Sequence, residues 1–216
     1  MARLMGNSHL EQIAYNKIRE LILNGDIKSG EKIVQDQLAE QIGVSRTPLR
    51  QAIINLERDF LLEITGQGIF VREINSDFIH SVWEVRAVLE GLACRICADK
   101  MDSPTIAYLR ALFDDAYLRW GENGEDKYFE ADMIFHSKLV EIANNPILEK
   151  SFNTTHVFSV QFKIGLLRSP EITHQEHASI LDALEARDGE LAEQLMVNHI
   201  RNGAAYIKNN ALHSKQ

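Results

Sequence analysis

No stretch of this chain approaches the roughly 18 consecutive apolar residues that a membrane-spanning helix needs. Its opening residues, MARLMGNSHLEQ, contain no apolar h-region, so no signal peptide is expected and the chain is expected in the cytoplasm, away from membranes. Internal repeats and low-complexity segments are missing too. Cysteine is nearly absent: Cys94 and Cys97 are the only two in 216 residues. Their lone C-x-x-C lies inside the apolar helical pattern LEGLACRICADKM. A redox pair normally follows a strand, and a zinc site needs two further ligands nearby, so reduced core thiols are the expectation. Proline is scarce as well. The four prolines, Pro48, Pro104, Pro146 and Pro170, each fit the first turn of a helix, where a missing N–H leaves no bond unmade.

A surplus of basic residues is also lacking, since the chain carries a net charge of −8. That deficit is uneven. Residues 1–75 hold nine Lys/Arg against ten Asp/Glu, and the remainder holds 14 against 21. The first part is thus close to neutral, and its attraction to phosphate should be modest and salt-sensitive. Specific nucleic-acid binding would then need a homodimer that doubles the contacts. With 45% hydrophobic residues, the chain has enough apolar material for real cores.

Between Gln35 and Val71 stands QDQLAEQIGVSRTPLRQAIINLERDFLLEITGQGIFV. Leu38, Ala39 and Ile42 sit at helical spacing and Gly43 closes that helix. Ser45 can cap a second helix whose apolar face is Leu49, Ala52, Ile53 and Leu56. Two short strands, Leu61–Thr65 and Ile69–Arg72, flank Gly66-Gln67-Gly68 as a hairpin. An earlier helix is expected to start at the capping box Ser8-His9-Leu10-Glu11 and to end at Gly25. The pattern is a winged helix-turn-helix, with Arg46, Thr47 and Arg50 at the start of the helix that would enter a major groove of double-stranded DNA.

Beyond Asn75 the periodicity is purely helical. Ser76 can cap a helix over Asp77–Asp99, and Ser103-Pro104 opens another to Trp120. Four more are expected at Asp126–Ala143, Pro146–Leu167, Pro170–Arg187 and Gly189–Asn209. The fold class is therefore mainly α: a DNA-binding domain over residues 1–75, and an antiparallel six-helix bundle over 76–216.

Asp132 and His136 stand four apart and share a helix face. His177 and His199 fall on the last two helices, 22 residues apart, a separation that lets antiparallel helices present them at one level. Together they would suit a divalent metal ion such as Zn²⁺ or Ni²⁺. A solvated helix face is the commoner use of an Asp-x-x-x-His pair, so the residues alone leave both readings open. Arg86 and Glu90 read equally as an intrahelical ion pair. His156, Lys163 and Arg168, placed on one long helix, suit either a pocket wall or the surface.

The segment LAEQIGVSRTPLRQAIINLERDFLLEITGQGIFV resembles the winged-helix motif of GntR-family transcriptional regulators of the FadR subfamily. Arg86-Ala-Val-Leu-Glu90, Asp132-x-x-x-His136 and the pattern from Glu176-His177 to His199-Ile200 resemble the FCD ligand-binding domain of that subfamily. Six helices look more like its VanR-type branch than the seven-helix type. The resemblance implies a homodimer on an inverted-repeat operator, contacted by Ser45, Arg46, Thr47, Arg50 and, at the wing tip, Gln67. It implies a divalent metal held by Asp132, His136, His177 and His199. It implies a small organic acid as effector, with Arg86 pairing its carboxylate, and repression as the default output. Two positions depart from the family pattern. The wing tip is Gly-Gln-Gly where a basic residue is frequent, and Asp36 lies where some relatives carry a DNA-contacting arginine. Two other readings remain: a metal-dependent hydrolase, for which no general base stands near the ligands, and a DNA-binding protein with a purely structural metal.

Overall fold

The computed structural model describes residues 2–120, 124–161 and 168–213. Among these the chain forms nine helices and one two-stranded antiparallel sheet, in two compact units, Met1–Ile74 and Asn75–Gln216. The mainly α architecture, with a winged helix-turn-helix first and helices after it, is the one expected.

The first unit holds α1 (Ala2–Leu23), α2 (Gln35–Ile42), α3 (Arg46–Arg58), β1 (Leu62–Thr65) and β2 (Gly68–Val71). Its core interleaves Ala14, Ile18 and Ile22 from α1 with Leu38 and Ile42 from α2 and Leu49, Ala52, Ile53 and Leu56 from α3. Helix α1 runs through Ser8, so the capping box does not start it. Its end comes as anticipated, with Gly25 at a φ of 78°. Gly43 closes α2 in the left-handed region at φ 81°, and Val44 beside it is half-buried. Ser45 takes the cap position of α3, although its hydroxyl makes no cap bond. The hairpin pairs Leu62 with Val71 and Thr65 with Gly68. The loop before α2 adds to it: Ile33 N–H donates to Ile69 O at 2.8 Å and Val71 N–H to Glu31 O at 2.9 Å. The wing is thereby stitched to the helices rather than left as an isolated ribbon.

In the second unit six helices follow: α4 (Ser76–Lys100), α5 (Ser103–Leu118), α6 (Glu125–Ala143), α7 (Pro146–Gln161), α8 (Pro170–Glu185) and α9 (Gly189–His213). The expected end of α7 at Leu167 lies outside the described residues. One cap shifts by one residue: Asn75, not Ser76, accepts from Phe78 N–H at 2.8 Å. Asp102 caps α5, accepting from Thr105 N–H at 2.9 Å. Pro104 and Pro170 occupy the first turns of α5 and α8, and α7 begins at Pro146.

Helix α4 is the spine of this unit and buries Trp83, Arg86, Ala87, Glu90, Gly91, Cys94 and Cys97. Cys94 and Cys97 are free and buried, and Cys97 Sγ donates to Leu139 O at 3.1 Å. A Cβ on Gly91 would come within 2.7 Å of Val197 Cγ2, so its bare backbone lets α9 pass close. Phe113, Tyr128, Phe135 and Phe158 fill the remaining interior.

Candidate metal centre and nucleic-acid interface

Three helices converge on one buried point. Helix α6 brings Asp132 and His136, α8 brings His177, and α9 brings His199. All four are buried, and one ligand atom from each lies within 4.8 Å of all the others. Ligands at about 2.1 Å from a zinc ion lie at most about 4.2 Å apart, so small side-chain adjustments bring this set into range. His177 Nε2 stands 3.4 Å from Asp132 Oδ1, and His136 Nε2 stands 3.6 Å from it.

The donor set fits a cation on a second count. Both ring nitrogens of His177 are buried and lack a hydrogen-bond partner among the described residues. Phe113 stacks on the ring at 4.1 Å and Phe135 meets it edge-on at 5.0 Å. Burial among these rings keeps His177 neutral, its pKa well below the ordinary histidine value. A neutral buried imidazole with a lone pair aimed at a carboxylate is what a metal ion requires.

Carboxylates orient the other two rings. Glu90 on α4 accepts from His136 Nδ1, and Glu176 on α8 accepts from His199 Nδ1 at 2.7 Å. With Nδ1 tied to its carboxylate, each ring turns its Nε2 toward the cluster, where a bound cation would take the place of any Nε2 proton. Glu90 is fully buried, and Arg86 Nε donates to it at 2.7 Å. Burial alone would raise the Glu90 pKa, but Arg86 and His136 outweigh it and hold the carboxyl well below the usual range. Burial would likewise lower His136, yet Glu90 and Asp132 pull it up to about 9. Asp132 stays ionised because His136 and His199 offset its desolvation.

Beside the cluster lies a cavity of about 30 Å³, room for a water molecule, lined by Trp83, Asp132, His136, Arg168, Thr173 and His199 among others. Arg168 precedes α8 rather than sitting on a long α7, and it grips Glu176 through both Nη atoms at 2.8 and 2.5 Å. Lys163 lies outside the described residues. Arg86 is buried, salt-bridged to Glu90, with its guanidinium 5.2 Å from the Trp83 ring. The role of Glu176 is not visible along the chain, although it adjoins His177, because the bond it makes runs to a residue 23 positions away. Glu90 reads along the chain as a partner for Arg86 alone, since nothing local announces His136, 46 positions on.

In the first unit Ser45, Arg46, Thr47 and Arg50 are exposed at the start of α3, and Gln67 is exposed at the wing tip. Gln67 N–H donates to Thr65 Oγ1 at 3.1 Å, which shapes the turn. Arg46 forms a two-pronged ion pair with Asp36 on α2. The described residues contain no helix long and apolar enough to cross a membrane.

A winged helix followed in the same chain by a helical unit is the arrangement of a DNA-binding transcriptional regulator. The family profile for gntR-family bacterial regulatory proteins matches residues 10–71, and that of the FCD domain matches residues 81–202. The chain belongs to the GntR family of transcriptional regulators and carries an FCD domain. It is 31% identical to the Nta operon transcriptional regulator of Aminobacter aminovorans, over 81% of this chain and 83% of that protein. It is also 31% identical to a probable D-xylose utilization operon transcriptional repressor of Paenarthrobacter nicotinovorans, over 86% and 82%. An uncharacterized HTH-type regulator of Bacillus subtilis, YdhC, is 27% identical over 90% and 89%. Among solved structures, E. coli McbR/YncC shares the fold, with a TM-score of 0.68 at 20% identity over 93% of this chain and 98% of that one.

Proposed function

We propose that this regulator is a metabolite-responsive repressor acting as a homodimer on an inverted-repeat operator. The start of α3 enters the major groove, where Arg46, Thr47 and Arg50 meet base edges and backbone, with Ser45 beside them and Gln67 reaching the adjoining minor groove. Asp132, His136, His177 and His199 hold a divalent metal, and three imidazoles with one carboxylate suit Zn²⁺ or Ni²⁺. A bound metal supplies a Lewis-acidic point for the oxygen of a small organic acid.

The observation that carries this reading is His177, buried beside a carboxylate with neither ring nitrogen bonded among the described residues. The cavity beside the cluster has room for a water molecule, and one oxygen of an entering carboxylate takes that place and meets Arg168 at its wall. Arg86, over the Trp83 ring and paired with Glu90, is linked to His136 through that carboxylate, and an effector carboxylate that paired with Arg86 would compete with Glu90 for it. The effector works through its differential affinity for two arrangements of the protein, and so lowers operator affinity. The relatives named as operon regulators support an output at promoters.

Elemental analysis tests the metal site. The wild-type chain should carry one metal ion, and His177→Ala combined with His199→Ala should carry none; a metal retained by the double variant refutes the site. Arg50→Ala should weaken operator binding in an anisotropy titration while leaving helicity intact. Unchanged affinity would refute the assignment of α3 as the reading helix.

A further inference from the structure

Arg46 does not stand free at the start of α3. Its Nε lies 2.8 Å from Asp36 Oδ1, and its Nη2 donates to Asp36 Oδ2 at 2.8 Å. This is a parallel fork, the geometry that fixes the plane of a guanidinium as well as its position. Both side chains are exposed, at 77% and 65%. Such a pair adds little to stability. Its effect lies in what it leaves on offer.

The fork consumes Nε–H and one proton of Nη2. Two Nη1 protons and the second Nη2 proton remain, and one on each of these nitrogens points off the end of the guanidinium. Among the described residues no other acceptor is bonded to it. Two donors side by side on that end match O6 and N7 of a guanine in the major groove. Charge narrows the choice further. Arg46 and Asp36 together are neutral. A phosphate oxygen approaching the same end meets the carboxylate's repulsion at short range, whereas a guanine edge carries no net charge. The first unit has ten acidic and nine basic residues, so it has little general attraction to offset that repulsion.

We propose that Asp36 is a specificity-determining residue of this regulator. It holds Arg46 end-on for a guanine and withholds it from phosphate, lowering nonspecific binding while sharpening one base position in each half-site. Asp36 is a positioning residue and acts through Arg46. The proposal rests on the reading that the start of α3 enters the major groove.

The test uses the full-length chain and duplexes selected by the wild type from a randomised library. Asp36→Ala and Asp36→Asn should relax the preference at one guanine per half-site roughly tenfold. Both should tighten binding to an unselected duplex several-fold and steepen its salt dependence by about one phosphate contact per subunit. Arg46→Ala should lose the same base preference but weaken binding to the unselected duplex. If both Asp36 variants keep the wild-type base preference and salt slope while Arg46→Ala loses the preference, the role of Asp36 is overturned and the reading of α3 stands. If Arg46→Ala also selects the wild-type sequence unchanged, the reading of α3 itself falls. The exposure of the pair leaves the fold of each variant intact, which circular dichroism checks.

Discussion

Glu176 accepts the Nδ1 proton of His199 at 2.7 Å, and the same carboxylate is gripped by Arg168 at 2.5 Å. One side chain thus connects a proposed metal ligand to the arginine on the cavity wall. Asn202 is a third donor residue to it, at 3.1 Å. An effector that drew Arg168 away from Glu176 would loosen a carboxylate that holds His199.

Removing Glu176 should therefore be felt at the metal. Glu176→Ala is expected to lower metal affinity about 10–100-fold, the usual effect of deleting a carboxylate behind a ligating histidine. A chelator-competition titration reads this directly. Affinity equal to wild type would show that the Nδ1 bond does not support His199.

Glu90 and Arg86 should behave differently, because both are almost fully buried. Glu90→Leu removes the buried carboxylate that pairs with Arg86 and should cost about 3–5 kcal/mol of stability in the helical unit. Arg86→Met with Glu90→Leu replaces the whole pair and should recover most of that loss. Its metal affinity should stay low, since His136 Nδ1 has then lost its acceptor. Chemical denaturation separates the cases. A double variant as unstable as Glu90→Leu would contradict the argument.

Acid should destabilise the helical unit partly through His156. Burial, reinforced by the nearby positive charge of Arg86, lowers its pKa to about 4. Its Nδ1 is buried without a partner among the described residues. The unfolded chain takes up a proton here near pH 6.5, while the folded chain resists until about pH 4. The unfolded state therefore binds more protons in that window, and stability falls as pH drops through it. At about 1.4 kcal/mol per pH unit, the loss reaches up to about 3 kcal/mol. His156→Phe preserves the ring that packs on Phe152 at 4.5 Å and should remove this share of the acid sensitivity. Urea midpoints at pH 7.5 and pH 5 measure it, and equal acid losses in variant and wild type would refute it.

Gly43 tests the turn of the DNA-reading unit. Its φ of 81° suits glycine, yet an added Cβ would meet nothing within 4 Å. Gly43→Ala should cost about 1–2 kcal/mol from backbone strain alone. Gly43→Asn should cost less, because asparagine visits this region more readily. Thermal unfolding of the two variants gives the order, and a reversed order would place the cost elsewhere.

Much of this protein was legible along the chain. Gly43, Ser45 and the apolar spacing of Leu49, Ala52, Ile53 and Leu56 mark the helix-turn-helix, because turn conformation and helical periodicity are local properties. The Gly66-Gln67-Gly68 tip marks the wing for the same reason. Pro104 and Pro170 locate helix starts, since proline's missing donor is harmless only there. Asp132 and His136 share a face by spacing alone. Tertiary structure decided the rest. It brought His177 and His199 to Asp132, and it set Glu90 behind His136 and Glu176 behind His199, pairings that link residues 46 and 23 positions apart. It also placed Arg168 at a cavity wall and closed Asp36 onto Arg46 across the turn. Such contacts depend on how helices cross, and crossing is set by the packing of whole faces rather than by any short stretch of sequence.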